Sequence, residues 1–129
     1  MSEVVVVDAS AFVDILANTS RAAAVRVRLR SVEAHAPAHV DAEVLSALGR
    51  LHRAGDLAEG EVAAAIAAIA RMPVTRHPLP RLLPAAWSHR QSIRVVDGLY
   101  VALAETLQAP LITTDERLAR ACTVAEVPL

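Results

Sequence analysis

Four β-branched residues in succession, Val4-Val5-Val6-Val7, run directly into a carboxylate, Asp8. Such a run reads as a strand buried on both faces, because branched side chains suit the pleat and no polar residue marks a solvent side. It commits the chain to a sheet covered by helices. It also leaves a charge at the end of a buried element, which is costly unless something compensates it.

The rest of the chain alternates between strand-like and helical segments, which implies a parallel α/β sheet with helices on both sides. Residues 4–8 read as the first strand and 10–17 as a short helix with Ser10 near its start. Ser20 is placed to cap a second helix over 21–31. Part of that segment alternates like a strand, but Ala22-Ala23-Ala24 favours helix. Residues 33–36 read as a weak short strand closed by Pro37. A long helix over 38–54 carries Val40, Val44, Leu48 and Leu51 on one stripe and ends at Gly55. With a second helix over 58–71 it forms a hairpin. Residues 73–77 read as the third strand and 80–92 as an irregular, Pro-bracketed helix with Trp87. Asp97 opens a helix over 98–108 that is apolar nearly all round and so belongs in the core. Residues 110–114 form the fourth strand, ending at Asp115; a helix over 116–121 and a strand over 123–127 close a single domain spanning 1–129.

Composition narrows the class. Hydrophobic residues make up 54% and charged residues 21%, which excludes a disordered chain; with aromatics at 2%, Ala, Val and Leu must fill the core. The net charge of −1 provides no overall attraction for nucleic acid. All 13 basic residues are Arg, a count that a coding bias toward Arg and Ala explains. Cys122 is the only cysteine, so an intrachain disulfide and a thiolate zinc cluster are both excluded. No signal-peptide pattern opens the chain and no apolar run reaches the ~20 residues of a membrane span. The expectation is a cytoplasmic protein.

Two strands end in an acid, at Asp8 and Asp115. In open parallel sheets, ligands sit beyond the carboxyl ends of the strands, at the switch in strand order. Asp97 falls at a helix start, where the dipole tolerates a carboxylate. Glu43 lies at the edge of its helix's apolar stripe. Four carboxylates in one small site repel and raise each other's pKa, and a divalent cation removes that penalty. All-oxygen ligation favours Mg²⁺ or Mn²⁺ over Zn²⁺, and such an ion suits phosphodiester hydrolysis.

Other polar residues compete for roles. Ser10 and Thr114 are placed to support a carboxylate or to cap helices. Asp14 reads as a solvated helix residue, with a supporting role as the alternative. Asp41 lies ~200° around its helix from Glu43, so both cannot serve one site, and it reads as a first-turn dipole partner. His35 and His39 are spaced i, i+4, but Pro37 between them argues against a zinc pair. Arg21, Arg26, Arg28 and Arg30 read as a solvated face. Arg90, Arg94 and Arg117 flank the acids and are the candidates for phosphate contacts.

Four pieces of the chain, in order, carry a resemblance. They are Val7-Asp8-Ala9-Ser10-Ala11; Ala42-Glu43-Val44 with Ala47-Leu48-Gly49-Arg50-Leu51; Val96-Asp97-Gly98-Leu99-Tyr100-Val101-Ala102-Leu103-Ala104; and Leu111-Ile112-Thr113-Thr114-Asp115-Glu116-Arg117-Leu118. Together they resemble the PIN-domain ribonucleases, specifically VapC-type toxins of bacterial toxin–antitoxin pairs. The resemblance implies a three-layer fold whose five-stranded parallel sheet has order 3-2-1-4-5. It implies Mg²⁺- or Mn²⁺-dependent endonucleolytic cleavage of RNA, with Asp8, Glu43, Asp97 and Asp115 at the acidic positions and Ser10 and Thr114 in support. It also implies a homodimer held inactive by a small VapB-type antitoxin, in a heterotetramer or larger assembly. The apolar hairpin 40–71 and the helix at 10–17 are the candidate contacts. The alternative is a non-catalytic RNA- or protein-binding module on the same scaffold. A receiver domain and a haloacid-dehalogenase-type phosphatase fit poorly: the chain has no Lys, and Asp8-Ala9-Ser10 is not Asp-x-Asp.

Overall fold

Val5, Val6 and Val7 are completely buried because their strand lies in the middle of the sheet. The computed structural model describes residues 2–129. Its strands are β1 (Glu3–Val7), β2 (Val32–Pro37), β3 (Val74–His77), β4 (Leu111–Ile112) and β5 (Ala125–Glu126). They are parallel and ordered β3-β2-β1-β4-β5, as the resemblance implied. Val5 stands opposite Ala34 on β2, and Val7 opposite Ile112 on β4. Hence β1 and β4 are neighbours and the acids that follow them emerge at one edge. Full burial of each of these valines is worth about 1.5–3 kcal/mol.

The helices are α1 (Ala9–Leu16), α2 (Ala22–Arg28), α3 (Val40–Arg53), α4 (Glu59–Arg71), α5 (Leu83–Ser88), α6 (Val95–Leu107) and α7 (Glu116–Ala121). α6 packs directly on β1, β2 and β4, and its residues Gly98–Ala104 are all buried. This is the outcome its all-round apolar sequence requires. α5 packs on α6. A Cβ at Gly98 would stand 2.8 Å from the Ala86 carbonyl oxygen, so the absent side chain is what lets α5 approach this closely. On the other side of the chain's core, α1 packs against α2, α3 and α4. No helix among the described residues is long and apolar enough to cross a membrane.

Several boundaries differ from the sequence reading, each for a local reason. The second helix stops at Arg28 instead of 31, because Ser31 turns the chain at φ 57° into β2. Ser20 does not cap it; the Thr19 hydroxyl accepts from the Arg21 amide. The weak strand at 33–36 is a full six-residue strand, held from both sides by β1 and β3. The segment 80–92 is a 3₁₀ turn at Pro80–Leu82 followed by α5, with Pro84 in the first turn. α6 begins at Val95, so Asp97 is its third residue and not its opener. β4 has only two residues, because the backbone N–H of Thr114 bonds the Ser10 hydroxyl instead of continuing a ladder.

Candidate metal centre

Four helices begin at the carboxyl edge of the sheet, and each brings one acid there. Asp8 is the N-cap of α1 and Asp115 the N-cap of α7. Glu43 lies in the first turn of α3 and Asp97 in the first turn of α6. A helix N-terminus carries a partial positive charge, which favours a carboxylate in that position. The chain thus gathers four negative groups with a separate dipole beneath each. All four line one cavity of about 490 Å³, together with Ser10, Asp14, Arg50, Arg94 and Thr114.

Asp8 is the most enclosed of the four, with 5% of its surface exposed. Its Oδ1 accepts from the Ser10 amide at 2.9 Å, the Ser10 hydroxyl at 2.5 Å and the Ala11 amide at 3.4 Å. Its Oδ2 accepts from the Thr113 hydroxyl at 2.8 Å. Burial pushes the carboxyl up to about 6, against the pull of the Ser10 and Thr113 hydrogen bonds. A buried carboxylate whose hydrogen bonds do not offset its desolvation is a group that a cation would stabilise.

The Ser10 and Thr113 hydroxyls knit the two strand ends together. Ser10 accepts from the Thr114 amide at 3.0 Å, and Thr113 accepts from the Asp115 amide at 3.0 Å. Asp8 and Asp115 are therefore fixed relative to each other through two side chains. Asp115 Oδ1 in turn accepts the Arg117 and Leu118 amides at 3.0 and 3.3 Å.

Glu43 and Asp97 are held from the other side. The Tyr100 hydroxyl donates to Glu43 Oε1 at 2.7 Å, and His39 Nε2 lies 3.5 Å from the same oxygen. His39 packs against the Tyr100 ring at 4.8 Å between centroids. Burial holds its imidazole below the usual pKa, and the Glu43 carboxylate pulls it back up. Both its ring nitrogens are buried without a hydrogen-bond partner among the described residues. Asp97 receives a two-pronged bond from Arg94, at 3.1 Å on each oxygen.

The sequence-derived residues separate clearly. Asp8, Glu43, Asp97, Asp115, Ser10, Thr114 and Arg94 share the cavity. Thr114 donates its hydroxyl to Asp14 at 2.5 Å, so Thr113 is the threonine that touches Asp8. Arg117 stands at the rim, its Nε 3.9 Å from Asp115. Arg90 lies over the Trp87 ring at 4.8 Å and does not line the cavity. Asp14 is tied to Thr114 and Thr19 at the cavity wall. Asp41 forms a forked ion pair with Arg76, at 2.7 and 2.9 Å, away from the acids.

Sequence reasoning missed Thr113, Tyr100 and His39 as members of this site. Two of them had a readable signal. Tyr100 is three residues after Asp97 and so shares a helix face with it. His39 is four residues before Glu43, the same relation on α3.

The donor set is oxygen-rich and negatively charged, which fits a hard divalent ion. As the side chains stand, no three acidic, His or Cys side chains among the described residues converge tightly enough to hold one. Each has another partner in this arrangement: Arg94 bonds Asp97, Tyr100 bonds one Glu43 oxygen, and Asp115 caps α7.

Comparison with known proteins identifies the family. The PIN domain family matches residues 5–124, nearly the whole chain. The chain belongs to the PIN-domain family. Within it, the chain is 61% identical over 120 residues to Ribonuclease VapC3 of Mycobacterium tuberculosis, covering 92% of this chain and 88% of that protein. This places it among the VapC-type PIN ribonucleases. The fold matches that of M. tuberculosis VapC20, described as a Sarcin-Ricin loop cleaving toxin, with a TM-score of 0.69 at 19% identity over 91% of this chain and 94% of that one. It also matches a toxin–antitoxin complex from Klebsiella pneumoniae with a TM-score of 0.68 at 14% identity, over 97% and 98% of the two chains. At such identities these two structures speak to the PIN fold.

Proposed function

We propose that this PIN domain is a Mg²⁺- or Mn²⁺-dependent endoribonuclease and acts as the toxin of a type II toxin–antitoxin pair. The observation that carries the reading is the convergence of Asp8, Glu43, Asp97 and Asp115 on one cavity. The 61% identity to a ribonuclease supports it.

Asp8, Asp97, Glu43 and Asp115 are the residues that would hold the ion, with Asp8 the fixed point. A bound divalent ion supplies Lewis acidity toward a phosphoryl oxygen and makes water a usable nucleophile at neutral pH. Ser10 and Thr113 keep the Asp8 carboxylate oriented, and Tyr100 does the same for Glu43. Arg94 and Arg117 stand where guanidinium groups can take phosphate oxygens along the groove.

The partner is a small cognate antitoxin of the VapB type. Its contact surface on this chain is the apolar hollow between α3 and α4, where Leu45 and Ile66 remain 55% and 42% exposed. The toxin itself forms a homodimer. A strict monomer in size-exclusion chromatography at high concentration counts against that part.

The test is cleavage of structured RNA by purified protein with Mg²⁺ or Mn²⁺. Activity that EDTA abolishes, and that Asp8→Asn and Asp97→Asn lose while staying folded, is expected. If both variants cut like wild type, the site is misassigned. If no metal binds in calorimetry, the non-catalytic binding module takes over.

A further inference from the structure

The acid cluster already has a cation, and it belongs to the chain. Arg94 is the N-cap of α6, and its fork closes on Asp97 with Nε to Oδ2 and Nη2 to Oδ1, both at 3.1 Å. The same Nη2 stands 4.0 Å from Glu43 Oε2. One positive group therefore answers two of the four acids.

The anchoring of Arg94 is one-sided. Its side chain is 66% exposed and makes no hydrogen bond except to Asp97. An ion pair this open contributes little stability, so breaking it is cheap. There is also room to move. Arg94 forms the ridge between the acid cavity and a second hollow of about 170 Å³ that includes Arg117. Asp97 is 14% exposed and Glu43 24%, so they stay near the cavity while the arginine leaves.

We infer that Arg94 is a built-in counter-ion of the acid cavity, which a divalent cation must displace from Asp97 and Glu43 in order to bind. The inference rests on the proposed metal site and adds the residue that competes for it. In the metal-free protein the fork quiets repulsion between carboxylates brought to one edge of the sheet. A bound ion would put a charge of two where a charge of one stands, leaving the guanidinium to the solvent that its side chain already meets. Apparent metal affinity is thus set partly by a residue that never ligates the ion.

The test is Mn²⁺ binding to the full chain, followed by electron paramagnetic resonance, which needs no RNA. Three proteins are compared: wild type, Arg94→Gln and Arg50→Gln. Arg50 lines the same cavity but donates to Ser46, not to an acid. Arg94→Gln is expected to bind Mn²⁺ about 3- to 10-fold tighter, and Arg50→Gln to change much less. In wild type, the Arg94 Nε–Hε resonance is expected to shift when Mg²⁺ is added. Unchanged or weaker binding in Arg94→Gln overturns the inference, and so does equal tightening in both variants, which would reflect bulk charge alone. If neither wild type nor Arg94→Gln takes up Mn²⁺, this inference and the metal site fall together. Tighter binding in Arg94→Gln by a protein that cuts no RNA sustains the counter-ion and removes only the nuclease reading.

Discussion

Tyr100, a buried residue in the middle of α6, donates a hydrogen bond from its hydroxyl to Glu43 on α3 across 2.7 Å. The bond joins two helices that are distant in sequence and aims one carboxylate oxygen. Burial and the Glu43 charge both push the phenol far above its usual range, so it remains a donor at any working pH.

Tyr100→Phe keeps the ring and its packing but leaves Glu43 without its strongest donor. We expect a stability loss of about 1.5–3 kcal/mol, the usual worth of a hydrogen bond to a charged group. Misorientation of one ligand typically lowers metal affinity about 10- to 100-fold. Thermal melts and Mn²⁺ calorimetry on the same variant check both numbers. A normal affinity would show that Glu43 is oriented by its backbone alone.

Thr113→Val and Thr114→Val should part company. Thr113 serves Asp8 and the Asp115 amide at once, so its loss leaves the buried Asp8 Oδ2 and the half-buried Asp115 amide without that partner. About 2–3 kcal/mol of stability should go with it. Thr114 serves Asp14, which keeps its bond from Thr19, so Thr114→Val should cost under about 1 kcal/mol. Urea denaturation of the two variants decides the order.

That pair shows what was readable in the sequence and what was not. The buried valine run announced the central strand, and the all-apolar 98–108 stretch announced a core helix; both depend only on side-chain type and period. The acids were readable because strand ends and helix starts can be located from pattern. Which neighbouring threonine faces Asp8 was not, since it depends on where β4 stops. That in turn depends on Ser10, 104 residues away, taking the Thr114 amide. The bidentate Arg76–Asp41 pair was equally hidden, because it joins β3 to α3 through tertiary packing alone. Local periodicity carries no information on such partners.

Asp8 should make the metal-free protein less stable as pH rises. Its folded pKa is about 6, against 3.8 for the free side chain. Between those values the folded state keeps a proton that the unfolded chain releases. Stability therefore falls from about pH 4 to about pH 6 and stays reduced above. Asp8→Asn should raise the metal-free melting temperature at pH 7, by the equivalent of about 2–3 kcal/mol. Mg²⁺ should protect wild type and not the variant. A variant melting below wild type without metal would mean that the hydrogen bonds from Ser10 and Thr113 outweigh the burial of the charge.

The β2–β3 side of the sheet should respond to acid in the opposite sense. His35 Nδ1 and His77 Nε2 lie 2.8 Å apart, one ring donating to the other. Burial first, and then the neighbouring His35 ring, hold His77 below its ordinary pKa of 6.5. As pH falls below about 6.5 the unfolded chain takes up a proton that folded His77 refuses, so its contribution is retained at neutral pH and lost on acidification. His39 is shifted in the same direction by burial. Asp8 opposes both, which makes the wild-type profile shallow and the variants informative. His77→Gln should flatten the loss of stability between about pH 6.5 and 5, and should do so with Asp8→Asn in the background as well. Denaturant midpoints across that range measure it. An unchanged slope in the double variant would assign the acid sensitivity to His39 and leave the β2–β3 pair without a role in it.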